Sequence, residues 1–119
     1  MKNELTGFKR LIAATRFSLA GIRSTYKTKE AFRQECWLGI VLLPLGLLLG
    51  DSSLEIALMI GSVPMLMITE LLNTAIEIVV DRIGHEFHEL SGRAKDAGSA
   101  AVLLALILVL VIWVGALAH

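Results

Sequence analysis

One cysteine, Cys36, stands in 119 residues, so no internal disulfide braces this chain. Charge is also scarce: 18% of residues are Asp, Glu, Lys or Arg, against roughly 25% in an ordinary soluble domain. The formal net charge is zero, and no nucleic-acid partner is expected. No G-x-x-x-x-G-K-[ST] sequence and no kinase-type glycine-rich loop is present, so any nucleotide chemistry must use another constellation. His85 and His88 are spaced i, i+3, not as H-E-x-x-H, and no third convincing ligand stands nearby, which argues against zinc. Charges recur from Lys2 to Glu35 with no uncharged core of signal-peptide length between them, so the beginning does not read as a cleavable signal peptide. There is no internal repeat and no low-complexity tail.

What is abundant is apolar surface. Hydrophobic residues make up 55% of the chain and the mean hydropathy is +0.72, which places it among small helical membrane proteins with room for one domain. From Leu5 to Tyr26, apolar residues recur every three or four positions beside Lys9, Arg10, Arg16 and Arg23. That pattern predicts an amphipathic helix lying in the headgroup plane; a helix packed on a soluble core is the alternative. Lys27 to Lys29 reads as a polar break. Cys36–Gly50 is an uncharged run of 15 residues, short for about 30 Å of hydrocarbon unless the helix extends back through Ala31 and Phe32. Pro44 is tolerable inside it, and Gly46 and Gly50 form a small-xxx-small pair. Asp51–Glu55 reads as a polar turn, and a second span is expected over 54–80. Residues 81–96 read as a polar loop. Ala97–Ala118, 22 uncharged residues, is a third span, with Ala97, Ala101 and Ala105 offering a face for close helix contact.

Eight Lys and Arg residues lie in 1–35, none in 51–55, three in 81–96 and none after 96. The positive-inside rule puts the N-terminus and residues 81–96 in the cytoplasm and His119 outside.

The second span organises the rest. At about 100° per residue, Asn73, Thr74, Glu77 and Asp81 fall within roughly 60° of Glu70, while Leu71, Leu72, Ile76, Ile78 and Val79 cover other faces. An ionised carboxylate near the bilayer centre costs roughly 3 kcal/mol on insertion scales, so this stripe must face protein or water. It reads as the wall of an active site. Gly92–Ser99 leads directly into the third span, and Arg93 and Lys95 with backbone donors there would hold phosphate oxygens, or would simply anchor the cytoplasmic side.

Glu70-Leu-Leu-Asn73-Thr-Ala-Ile-Glu77, Val80-Asp81-Arg-Ile-Gly84 and His88-Glu-Leu-Ser-Gly-Arg-Ala-Lys95-Asp96-Ala-Gly-Ser-Ala-Ala resemble the bacterial integral-membrane diacylglycerol kinases. Ala31-Phe-Arg-Gln-Glu35 and Thr6-Gly-Phe-x-Arg10 fit the same pattern. The resemblance covers nearly the whole chain. It implies an all-α homotrimer in the bacterial inner membrane, each subunit having one interfacial helix (residues 1–29 with its linker) and three spans (30–50, 54–80 and 97–118). The implied reaction transfers the γ-phosphoryl group of ATP, with Mg²⁺, to the free hydroxyl of diacylglycerol, giving phosphatidate.

The same resemblance assigns residues. Glu70 is the implied general base, with Asn73 beside it, and Glu77 a metal ligand. Lys29 stands where a second metal carboxylate is usual, and Glu30, one residue on, is the neighbouring acid. Nucleotide contacts are implied at Arg10, Phe17 (where Tyr is usual), Lys29, Glu77, Glu86, Phe87, His88, Lys95 and Asp96. Lipid contacts are implied at Arg10, Ala14, Arg23, Tyr26, Ala31, Arg33, Gln34, Glu35, Glu70, Ser99 and Trp113. Three rival functions remain at this point. An undecaprenol kinase would share the architecture and differ in its lipid. A small proton-coupled transporter would account for Glu70 but not for Asp81, Lys95 and Asp96 gathered at one interface. A rotor-ring or structural subunit needs at most one intramembrane acid.

Overall fold

The computed structural model describes residues 6–118. Leu5, where the amphipathic pattern begins, and His119, expected outside the membrane, lie outside the described residues. Four helices follow one another: α1 (Gly7–Thr28), α2 (Glu30–Leu49), α3 (Ser53–Ile83) and α4 (Glu89–Leu117), with no strand among the described residues. α2, α3 and α4 are long and apolar enough to cross a membrane. The whole is a flat body of 50 × 42 × 21 Å, with α3 in the middle packed against α2 and α4.

The break between α1 and α2 is a single residue. Lys29 adopts an extended backbone (φ −116°, ψ 110°), donates its N–H to the Thr25 carbonyl and accepts from the Arg33 N–H. The Arg33 guanidinium folds back to donate to the carbonyls of Tyr26 and Lys27, at 2.9 and 3.0 Å. Those are orphan carbonyls at the negative end of α1, where a cation is favoured. Arg33, expected at the lipid, therefore also fixes the corner.

At the other end, Ser52 caps α3: its hydroxyl accepts from the Glu55 N–H at 3.1 Å, and the Glu55 carboxylate accepts from the Asp51 N–H at 3.0 Å. This reciprocal pairing is the capping-box logic, and it draws Glu55, expected in a turn, into the first turn of the helix.

The core joins Met59 and Leu66 of α3 to Ala105, Val109, Trp113 and Ala116 of α4, with Leu42 of α2 against it. Gly46 lets α2 approach closely, since a Cβ there would lie 3.1 Å from Ile60 Cγ1. The alanine face divides in two: Ala105 is buried within this core, whereas Ala97 and Ala101 are exposed. Ala105 joins Gly98, Val109, Trp113 and Ala116 on the buried side of α4. Trp113, expected at the lipid, lies in this core. Its Nε1–H donates to Ser62 Oγ at 3.1 Å, and the Ser62 hydroxyl donates to the Met59 carbonyl at 2.7 Å. Ser62→Ala should lower stability by about 1 kcal/mol, within the roughly 0.6–1.7 kcal/mol of hydrogen bonds between membrane helices. Reversible denaturation in mixed micelles reads this; an unchanged midpoint would remove the bond's role.

The polar segment 81–96 is not a continuous loop. Residues 81–83 complete α3 and 89–96 open α4, leaving Gly84–His88 between them. Polarity alone suggested a loop, yet helices of 31 and 29 residues measure about 46 and 43 Å and outrun about 30 Å of hydrocarbon, so their ends are polar because they are wet.

Candidate active site

The carboxylate stripe of α3 runs from dry to wet. Glu70, Asn73 and Thr74 are buried, at 2%, 7% and 5% exposure, while Glu77 is half-buried and Asp81 exposed. From Glu70 to Asp81 is about 16 Å along the axis. A side chain from the α1–α2 corner reaches this stripe. Lys29 Nζ lies 2.7 Å from Glu77 Oε1 and 3.5 Å from Glu70 Oε1. The hydrogen bond to Glu77, above all, holds the Lys29 ammonium above its ordinary pKa against the opposing effect of burial. It is therefore charged throughout the physiological range.

α2 adds a third acid. Glu35 is buried, within electrostatic reach of Glu70 and Lys29, and its Oε1 has no hydrogen-bond partner among the described residues. Asn73 Oδ1 and Thr74 Oγ1 are likewise buried without partners. Buried polar atoms are nearly always satisfied, so three unpaired acceptors around one acid mark a place built for a polar ligand. Asn73 owes its position to Gly98 of α4: a Cβ on Gly98 would overlap Asn73 Oδ1.

Nearer the wet end, Lys95 Nζ pairs with Asp81 Oδ1 at 2.7 Å across α4 and α3. They stand at the edge of a cleft of about 220 Å³ that Gly84, His85, Glu86 and His88 also line. His88 caps α4, its Nδ1 accepting from the Leu90 N–H at 3.1 Å. The N-terminus of a long helix, a lysine and an open polar cleft together suit an anion such as a phosphate chain.

The expected site residues therefore fall into separate groups. Lys29, Glu35, Glu70, Asn73 and Glu77 come together, and Asp81, Glu86, His88 and Lys95 meet around the cleft. Phe87 also lines that cleft, while Asp96, Ser99 and Gln34 are exposed and Ala31 is half-buried. Arg10, Ala14, Phe17, Arg23 and Tyr26 stand exposed on α1. Arg10 is 19 residues from Lys29 along a continuous helix, about 28 Å, so one chain does not bring it to Glu70. The Lys29 bridge and the Gly98 fit had no local signature, since each joins residues far apart in the chain.

The acids do not build a metal cage from protein ligands alone. Glu77 is engaged by Lys29, Glu30 is exposed, and no group of three or more His, Cys, Asp or Glu side chains suited to a metal ion occurs among the described residues. The donor set fits an ion that brings its own phosphate ligands better than one the chain holds by itself.

The sequence profile of the family described as prokaryotic diacylglycerol kinase matches residues 16–117. The diacylglycerol kinase of Haemophilus influenzae is 54% identical over 112 residues, covering 94% of this chain and 95% of that protein. That of Escherichia coli K12 is 48% identical over 113 residues, 95% of this chain and 93% of its own length. That of Helicobacter pylori 26695 is 39% identical over 107 residues, 90% and 84% of the two chains.

Proposed function

The chain belongs to the prokaryotic diacylglycerol kinase family, and we propose that it phosphorylates the free hydroxyl of a diacylglycerol at the Glu70 site, with ATP as donor and phosphatidate as product. The observation that carries this reading is the buried Glu70 carboxylate, set below an open polar cleft and accompanied by buried unpaired acceptors. Glu70 accepts the proton of the primary alcohol. The alcohol oxygen bonds to the γ-phosphorus as the bond from that phosphorus to the β–γ bridging oxygen breaks, and ADP leaves. Asn73 and Glu35 orient the glycerol hydroxyl. The Asp81–Lys95 cleft and the α4 N-terminus hold the phosphate chain, and magnesium enters with the nucleotide as part of that substrate. Such a transfer runs through a loose transition state, so positioning and positive charge supply most of the acceleration.

The lysines and arginines at the N-terminal side and near the cleft support a cytoplasmic N-terminus and a periplasmic C-terminus in the inner membrane, so ATP reaches the cleft directly. The exposed apolar side of α1, with Phe8, Leu11 and Leu19, supports its lying at the membrane surface. Arg10 and Phe17 stand too far from Lys29 to serve their own chain's site, which supports a homotrimer whose sites form between subunits.

The test is phosphorylation of dioleoylglycerol and undecaprenol side by side by the purified protein, whose mass in detergent is measured, and by sealed membrane vesicles of both orientations. Expected are a trimer, phosphatidate as the main product, and activity with external ATP in inverted vesicles alone. Undecaprenyl phosphate as the main product would move the lipid assignment, and no lipid phosphorylation would end the proposal.

A further inference from the structure

Glu70 and Glu77 share one face of α3 two turns apart, the first buried and the second half-buried, and both point acid at the same space. Two carboxylates so placed raise each other's energy unless a cation stands between them. Lys29 Nζ stands there, 2.7 Å from Glu77 and 3.5 Å from Glu70.

The backbone delivers it. Lys29 is the sole extended residue of the α1–α2 corner, its N–H bonded to Thr25 at 2.8 Å and its carbonyl to the Arg33 N–H at 3.1 Å. Arg33 clamps the same corner through Tyr26 and Lys27. Three-quarters of the Lys29 side chain is shielded, its exposure being 25%. An ammonium has three donors; one is given to Glu77, a second faces Glu70, and a third remains for a ligand. A divalent ion bridging these two carboxylates would have to displace that ammonium from both.

Resting on the kinase reading above, we propose that Lys29 is the resident cation of the transfer site. Its ammonium fills the place between Glu70 and Glu77 that a protein-held divalent ion would take, and offers its third donor to the transferred phosphoryl group. The chain then binds no metal of its own and uses only the ion that arrives on ATP. The acid that would make a metal site, Glu30, is turned one residue away and exposed.

The first measurement needs no turnover: Mn²⁺ alone is titrated into the purified full-length protein in detergent and followed by electron paramagnetic resonance. The wild type should show no site tighter than about 1 mM, whereas Lys29→Glu, which gathers three carboxylates, should gain one site per chain at least about tenfold tighter. In turnover, wild-type activity should saturate once all ATP is MgATP. Lys29→Glu should demand free Mg²⁺ beyond that point. Lys29→Met should lose about 10²–10³-fold in kcat, with no recovery on adding Mg²⁺, and Lys29→Arg should retain more. A submillimolar Mn²⁺ site in the nucleotide-free wild type overturns the proposal, as does a Lys29→Met kcat within about threefold of wild type. If Lys29→Met does not fold, the wild-type titration and Lys29→Arg decide. A wild type that leaves diacylglycerol unphosphorylated would defeat the kinase reading, while the Mn²⁺ titration would still judge the cation.

Discussion

Glu70→Gln should fold and assemble as the wild type does and turn over diacylglycerol about 10²–10⁴-fold more slowly, the usual worth of a positioned general base. Glutamine keeps the shape of the side chain and loses its capacity to take a proton. Because Glu70 is 2% exposed and lies below the wet end of α3, water offers no ready substitute for that proton acceptor. The loss should fall on kcat and leave the KM for ATP nearly constant, since the cleft proposed for the nucleotide lies toward Asp81 and Lys95. Removing the Glu70 charge also leaves Lys29 with Glu77 at 2.7 Å, so the corner of the fold should hold. Steady-state kinetics beside a denaturation curve separates the two effects. A properly assembled Glu70→Gln protein with near-wild-type kcat would pass the base role to another group, with Glu35 the nearest buried candidate.

Gly98→Ala should be damaging although it adds a single methyl group. The added Cβ overlaps Asn73 Oδ1, the end of a buried side chain that would have to turn aside. Overpacking of this sort costs about 1–3 kcal/mol of stability. If the asparagine amide yields instead of the helix, the strain is smaller and the damage appears in turnover. Misplacing a positioning group by an ångström costs about 10²-fold. The double variant Gly98→Ala/Asn73→Ala distinguishes these outcomes. It should recover the stability lost by Gly98→Ala while remaining as slow as Asn73→Ala alone, because the two side chains share one space and their effects do not add. Full activity in Gly98→Ala would show that Asn73 can move without consequence.

Much of this arrangement could be read from one helix. The spacing of Glu70, Asn73, Thr74, Glu77 and Asp81 predicted a single polar stripe, and its first three members are indeed buried against neighbouring helices. The three apolar runs likewise became α2, α3 and α4. Periodicity says which residues share a face, but it is silent about which residue of another segment meets that face. Lys29 lies 48 positions from Glu77, and its approach depends on a one-residue corner set by Arg33. The alanines of α4 were legible as a close-packing surface, and of the three only Ala105 meets α3 of the same chain, near Met59 and Leu66, while Ala97 and Ala101 stay exposed. Trp113 shows the same limit: the resemblance implied a lipid contact there, and periodicity gave no hint that Ser62 accepts its indole N–H.

The depth of Glu70 has a consequence for how this enzyme meets its two substrates. Glu70 lies about 16 Å along α3 from Asp81, and the outer sides of α2, α3 and α4 carry leucine, isoleucine and valine. With Glu70 as the proposed base, a diacylglycerol reaches it by sliding within its leaflet, whereas the nucleotide arrives from solution. The first encounter is a collision in two dimensions, governed by the mole fraction of acceptor among the surrounding lipids, and the second is governed by bulk molarity. Adding inert phospholipid at fixed total diacylglycerol dilutes one substrate and leaves the concentration of the other unchanged.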